Sequence, residues 1–166
     1  HPTLIDVVVL IGMMQQANCV VKQSLWSNPF TKGPVQSAGY ILNAGSQQFV
    51  EDCVKRLKEN NAASLLIFPE GTRTEKGMTL NEFQRGAANI AIRANVPIRP
   101  VIITCTPSTL TKNEKWYHVP SQPFHIEVKV LDAVQVSDLL DDLTVGPKQV
   151  RQLSRSFYKI FDEELS

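Results

Sequence analysis

The stretch Ser64-Leu65-Leu66-Ile67-Phe68-Pro69-Glu70-Gly71-Thr72-Arg73-Thr74 decides how the chain is read. Its apolar opening has the length and composition of a buried strand. Pro69 has no backbone N–H to give to a ladder, so the strand ends there. Gly71 lets the backbone take positive φ or approach a ligand closely. Arg73 presents a planar fork of donors suited to phosphate or carboxylate. A strand end carrying glutamate, glycine, threonine and arginine is an anion site in an α/β fold. The same residues also fit a plain turn with a solvated Glu70–Arg73 pair.

Working outward, Asn18–Lys22, Tyr40–Leu42, Ile98–Cys105 and Phe124–Val130 read as further strands, the last alternating with one wet face. Ser46 caps an amphipathic helix that turns Phe49, Val50, Cys53, Val54 and Leu57 inward and Glu51, Lys55, Lys58 and Glu59 outward. Leu25 to Gly39 is broken by Pro29, Gly33 and Pro34 into short helices and turns. Asn81–Ala94 reads as a helix whose Gly86-Ala87-Ala88 segment allows close packing on the sheet, and Val136–Leu143 and Lys148–Leu165 close the chain. At the start, Leu4, Ile5, Val8, Val9, Gly12 and Met13 share one helical face, although Val7-Val8-Val9 also suits a strand. Thr3 and Asp6 form the S/T-x-x-D version of a capping box, which favours a helix and gives Asp6 an ordinary duty as cap partner. The alternation of elements implies the α/β class, a mostly parallel β-sheet flanked by helices, in a single domain over 1–166.

Composition narrows the function. Hydrophobic residues make up 43% and charged residues 20%, ordinary for a globular chain. A net charge of +1 offers no electrostatic footprint for nucleic acid, so no nucleic-acid partner is expected. Cys19, Cys53 and Cys105 have neither metal nor redox spacing and read as small buried hydrophobes. No apolar run approaches the ~18 residues of a membrane span.

Two more stretches sharpen the reading. The chain opens His1-Pro2-Thr3-Leu4-Ile5-Asp6, and Val96-Pro97-Ile98-Arg99-Pro100-Val101 follows the central loop. With Phe68–Arg73, in this order and with Glu70 following Asp6 by 64 positions, they resemble the signature of the glycerolipid acyltransferases of the lysophosphatidate acyltransferase-like, His-x4-Asp type. The resemblance runs from His1 to about Val101 and more loosely to the end.

The resemblance implies transfer of a fatty-acyl group from acyl-coenzyme A or acyl-carrier protein to the hydroxyl of a lysophosphatidate-like lipid, in phospholipid biosynthesis. His1 would be the base and Asp6 its orienter, a division of labour that suits an imidazole with a near-neutral pKa and a carboxylate that fixes its tautomer. Glu70, Gly71, Thr72 and Arg73 would bind the acceptor, with the arginine on its phosphate. No metal and no cofactor beyond the acyl thioester is implied. The absence of a Gly-x-Ser-x-Gly elbow agrees with a reaction that forms no acyl-enzyme.

One departure stands out: Ala44 occupies the place of a second phosphate-binding arginine. Either Arg99 supplies that charge or the acceptor lacks that phosphate; Arg99 also fits an outward-facing strand residue, and Lys22, at the end of the Cys19–Val21 strand, is another candidate for the anionic pocket that also fits a solvated lysine. The resemblance further implies work at a membrane surface on the cytoplasmic face. A chain that starts at His1 is then expected to be a fragment lacking an upstream membrane-binding segment, with Trp26, Phe30, Trp116 and Tyr117 available for an apolar patch. The alternatives are a catalytically inactive lipid- or partner-binding module on the same fold, and a phosphate-recognising hydrolase, for which no nucleophile or metal cluster is visible.

Overall fold

A computed structural model describes residues 2–3, 5–14, 17–27, 29, 32–43, 47–60, 64–75, 77–111, 114 and 120–166. The chain divides into two compact units, residues 11–67 and residues 1–10 with 68–166.

The 11–67 unit is a parallel three-stranded sheet with helical crossovers. Its elements are β1 (Ala17–Lys22), α2 (Gln23–Ser27), α3 (Lys32–Ser37), β2 (Ile41–Asn43), α4 (Gln47–Glu59) and β3 (Ser64–Leu66). Here α1 denotes the preceding helix, Asp6–Met13. The strand order is β2-β1-β3, with Val20 opposite Ile41 and Asn18 opposite Leu65. Parallel neighbours need crossovers, and the short helices and α4 supply them. Cys19 and Val21 alternate onto the buried face of β1. Helix α4 buries Phe49, Val50 and Cys53 and exposes Glu51, Lys55, Lys58 and Glu59, as its periodicity requires. The expected cap, Ser46, lies outside the described residues.

The larger unit holds the start of α1, then α5 (Arg85–Ala94), β4 (Val101–Thr106), β5 (His125–Val130), α6 (Val136–Leu139) and α7 (Pro147–Leu165). Strands β4 and β5 pair antiparallel from Val101↔Val130 to Thr106↔His125. The parallel pattern is therefore confined to the first three strands. On β5, Ile126 and Val128 are half-buried while His125, Glu127 and Lys129 are exposed, the one wet face that alternation predicts. The core lies between α5 and α7: Ala88, Ala91 and Ile92 meet Leu153 and Phe157, with Val136 and Leu140 beneath. Phe83 adds edge-on contacts to Tyr158 and Phe161 at 5.5 and 5.3 Å.

Three local expectations change. Helix α5 starts at Arg85 rather than Asn81, because Asn81 is drawn into the loop before it. Asn95, in the left-handed region at φ 50°, closes this helix by donating its N–H to the Ala91 carbonyl. Its small residues pack on α7, and a Cβ at Gly86 would meet nothing within 4 Å, so that glycine is not required for close approach. On α1, the buried positions are Asp6 and Leu10, one turn apart, whereas Val8 and Met13 are 70% and 64% exposed.

Two measurements test this packing. Leu153 is fully buried, and Leu153→Ala is expected to lower the unfolding free energy by about 2–5 kcal/mol in urea titrations. Burial pushes the thiols of Cys19 up to about 11 and Cys53 up to about 12, from 9.0. A thiol raised in the folded state favours folding below its unfolded value and stops doing so as pH rises through the folded one. Unfolding free energy should therefore fall above pH 9.0, and Cys19→Ala with Cys53→Ala should flatten that fall.

Candidate active site

After β3 the chain makes a tight turn. The Gly71 N–H donates to the Phe68 carbonyl at 3.0 Å, with Pro69 at the second position, which suits its fixed φ. Gly71 sits at φ +67°, the left-handed region, and a Cβ there would stand 3.1 Å from Gln84 Cγ. Gln84 is held close because its N–H donates to the Pro69 carbonyl at 2.7 Å.

Glu70 is only 4% exposed, so the solvated-pair reading does not hold. A buried carboxylate must find donors. The Thr74 hydroxyl reaches both its oxygens, at 3.0 and 2.9 Å, and the Asn81 N–H donates to Oε2 at 3.0 Å. Asn81 then stitches the loop further. Its Nδ2 donates to the Arg73 carbonyl at 3.2 Å, and its Oδ1 accepts from the Glu75 N–H at 3.2 Å. Glu70 thus works inside the protein as the anchor of the 70–81 loop. Gly71 is exposed and Thr72 half-buried.

Arg73 is half-buried, and its Nη1 donates to the carbonyls of Leu110 and Thr111, each at 2.8 Å. The guanidinium therefore ties the 70–81 loop to the segment that follows β4. Leu110 occupies the left-handed region at φ 52°, an uncommon state for a branched side chain. Thr109 and Thr111 beside it are buried.

Asp6 and Thr3 are both fully buried. The Thr3 N–H donates to Asp6 Oδ2 at 2.8 Å and the Thr3 hydroxyl to Oδ1 at 2.5 Å. Burial raises the pKa of Cys105, near the end of β4; a Thr109 backbone hydrogen bond opposes this, and the Asp6 carboxylate adds to it. The Asp6 charge thus acts on a thiol that Thr109 also touches, and Thr109 precedes the two carbonyls that hold Arg73. His1 lies outside the described residues, as do Ala44, Phe30, Trp116 and Tyr117. Lys22 ends β1, and its side chain is not among those described.

Arg99 is not brought to this place. It is exposed and precedes β4, six residues from Cys105, roughly 20 Å along an extended strand. Its neighbours are structural: Ile98 pairs with Val134 through bonds of 2.9 and 2.8 Å, and the Pro100 carbonyl accepts from Leu131 at 3.0 Å. An open cleft of about 470 Å³ lined by Trp26, Tyr40, Phe49 and Arg56 belongs to the 11–67 unit and contains none of the expected site residues. Among the described residues, no cluster of three or more His, Cys, Asp or Glu side chains could hold a metal ion, and no helix is long and apolar enough to cross a membrane.

Sequence reasoning did not single out Thr74 or Asn81. The available signal was the buried acid itself, which needs donors close along the chain. Glu70→Ala should strand the Thr74 hydroxyl and the Asn81 N–H, lowering unfolding free energy by about 2–4 kcal/mol. Glu70→Gln, which keeps a carbonyl acceptor, should lose less in the same urea titration.

The family model described as Acyltransferase matches residues 1–104. The acl-2 protein of Caenorhabditis elegans is 32% identical over 167 residues, covering 96% of this chain and 57% of that protein. A 1-acyl-sn-glycerol-3-phosphate acyltransferase of Saccharomyces cerevisiae is 31% identical over 149 residues, covering 86% of this chain and 48% of the yeast protein. The crystal structure of the 1-acyl-sn-glycerophosphate acyltransferase PlsC from Thermotoga maritima superposes with a TM-score of 0.73 at 22% identity, over 99% of this chain and 63% of that one. The chain thus spans about half the length of the curated relatives it matches. With the family model covering more than half of its residues, the chain belongs to the acyltransferase family.

Proposed function

We propose that the protein is an O-acyltransferase that moves a fatty-acyl group from a thioester, acyl-coenzyme A or acyl-carrier protein, to the hydroxyl of a lysophosphatidate-like lipid. The observation that carries this reading is the buried, doubly bonded Asp6 carboxylate, together with an Arg73 tied to the segment that follows β4. A carboxylate held this way is suited to orienting an imidazole, and His1 stands five positions before it in the chain.

The chemistry follows from these roles. His1 takes the proton of the acceptor hydroxyl while the hydroxyl oxygen attacks the thioester carbonyl. The C–S bond breaks, the ester forms, and the imidazolium returns its proton to the departing thiolate. No acyl-enzyme is needed and no cofactor beyond the thioester. Asp6 fixes the imidazole tautomer and stabilises its charged form. Arg73 meets the acceptor phosphate, on a guanidinium that the Leu110 and Thr111 carbonyls hold in place. Glu70 contributes by shaping the loop that carries Arg73. A lipid acceptor places the reaction at a membrane surface, on the cytoplasmic side where acyl thioesters are made.

The test is an acylation assay with the full-length protein. Acyl-coenzyme A and acyl-carrier protein are supplied separately with phosphorylated and unphosphorylated lysolipids, and products are read by mass spectrometry. Acylation of lysophosphatidate that falls at least about 1,000-fold in His1→Ala is the expected result. Arg73→Ala should raise the acceptor KM far more for phosphorylated than for unphosphorylated acceptors. Lipid binding without any His1-dependent product would make the protein a binding module instead.

A further inference from the structure

We infer that Thr3 is a positioning residue of the acyl-transfer site, acting through Asp6. This rests on the reading of His1 and Asp6 as base and orienter. In a capping box the threonine hydroxyl accepts the backbone N–H of the residue three positions on, and the acidic side chain answers to the threonine N–H. Here the second half is present, since Thr3 N–H donates to Asp6 Oδ2 at 2.8 Å. The hydroxyl does something else: it spends its proton on the other carboxylate oxygen, at 2.5 Å. That distance is typical of O–H donation to a carboxylate. Helix capping does not require it, because the backbone N–H alone completes the acid's half of the box.

The result is a carboxylate gripped at both oxygens by one residue. Each oxygen has a second lone-pair direction, and the first on each is now assigned. Rotation of the Asp6 carboxylate about its last torsion, ordinarily broad, would break two bonds at once. Thr3 and Asp6 are fully buried, so water offers no replacement for either bond. Among the described residues, Cys105 of β4 feels the Asp6 carboxylate, and its thiol, pushed up by burial, brings no competing charge. Thr3 therefore restrains the orientation of the carboxylate to which the proposed function assigns the imidazole.

The experiment measures steady-state kinetics on the full-length protein. Thr3→Val keeps the backbone donor and the shape but loses the hydroxyl. It should lower kcat about 10- to 100-fold, with both KM values within about twofold, because only the orientation of the base is lost. Thr3→Ser, which restores the hydroxyl, should return kcat to within about threefold. In an Asp6→Asn background Thr3→Val should change kcat by less than about twofold, since no carboxylate remains to be oriented. Should Thr3→Val fold poorly by circular dichroism, Thr3→Ala is carried through the same cycle with rates normalised to folded protein. Wild-type kcat in Thr3→Val, or an equal loss in the Asp6→Asn background, overturns the inference. Those outcomes with His1→Ala inactive leave the acyl-transfer reading standing. Full turnover in His1→Ala overturns that reading and this role with it.

Discussion

A carboxylate taken out of water must be given donors, and the site is built around two that have been. Glu70 and Asp6 are the buried acids of the larger unit, and each is satisfied by residues close to it in the chain. The cost of leaving either unpartnered is several kcal/mol, more than most single contacts contribute. Their demands therefore override weaker preferences nearby. Asn81 has the character of a helix start, yet its N–H goes to Glu70 and the helix waits until Arg85. The 70–81 loop keeps its shape because one acid and one amide between them bind four of its residues.

Arg73 inherits its position from that loop. Its carbonyl is held by Asn81 while its guanidinium reaches the carbonyls of Leu110 and Thr111. A long, flexible cation is thereby held in one place by two backbone carbonyls. The same carbonyls belong to the segment that turns back beside Cys105, a thiol on which the Asp6 charge also acts.

The three motifs that mark the family do not serve the site equally. Asp6 opens α1, and the Phe68–Arg73 loop reaches the segment after β4 through Arg73. The Val96–Val101 block instead secures the start of β4, through Ile98 against Val134 and Pro100 against Leu131. Arg99, the polar residue in that block, falls on the structural side.

What the sequence by itself determined is what depends on neighbours a few residues apart. The amphipathic repeat of α4, the alternation of β5 and the turn at Pro69–Gly71 follow from helix pitch, strand pleat and backbone sterics, and all appear where expected. The Thr3–Asp6 pairing was legible for the same reason, since three positions let the threonine reach back onto the acid that opens α1. Only the tertiary structure decided the rest. Whether the Thr3 hydroxyl accepts or donates depends on burial, which no local pattern reports. The antiparallel pairing of β4 with β5, the use of Asn81 by Glu70 and the separation of Arg99 from the site are matters of long-range placement. In each, a residue whose local preference was nearly balanced was settled by a distant strand or by the need of a buried acid for donors.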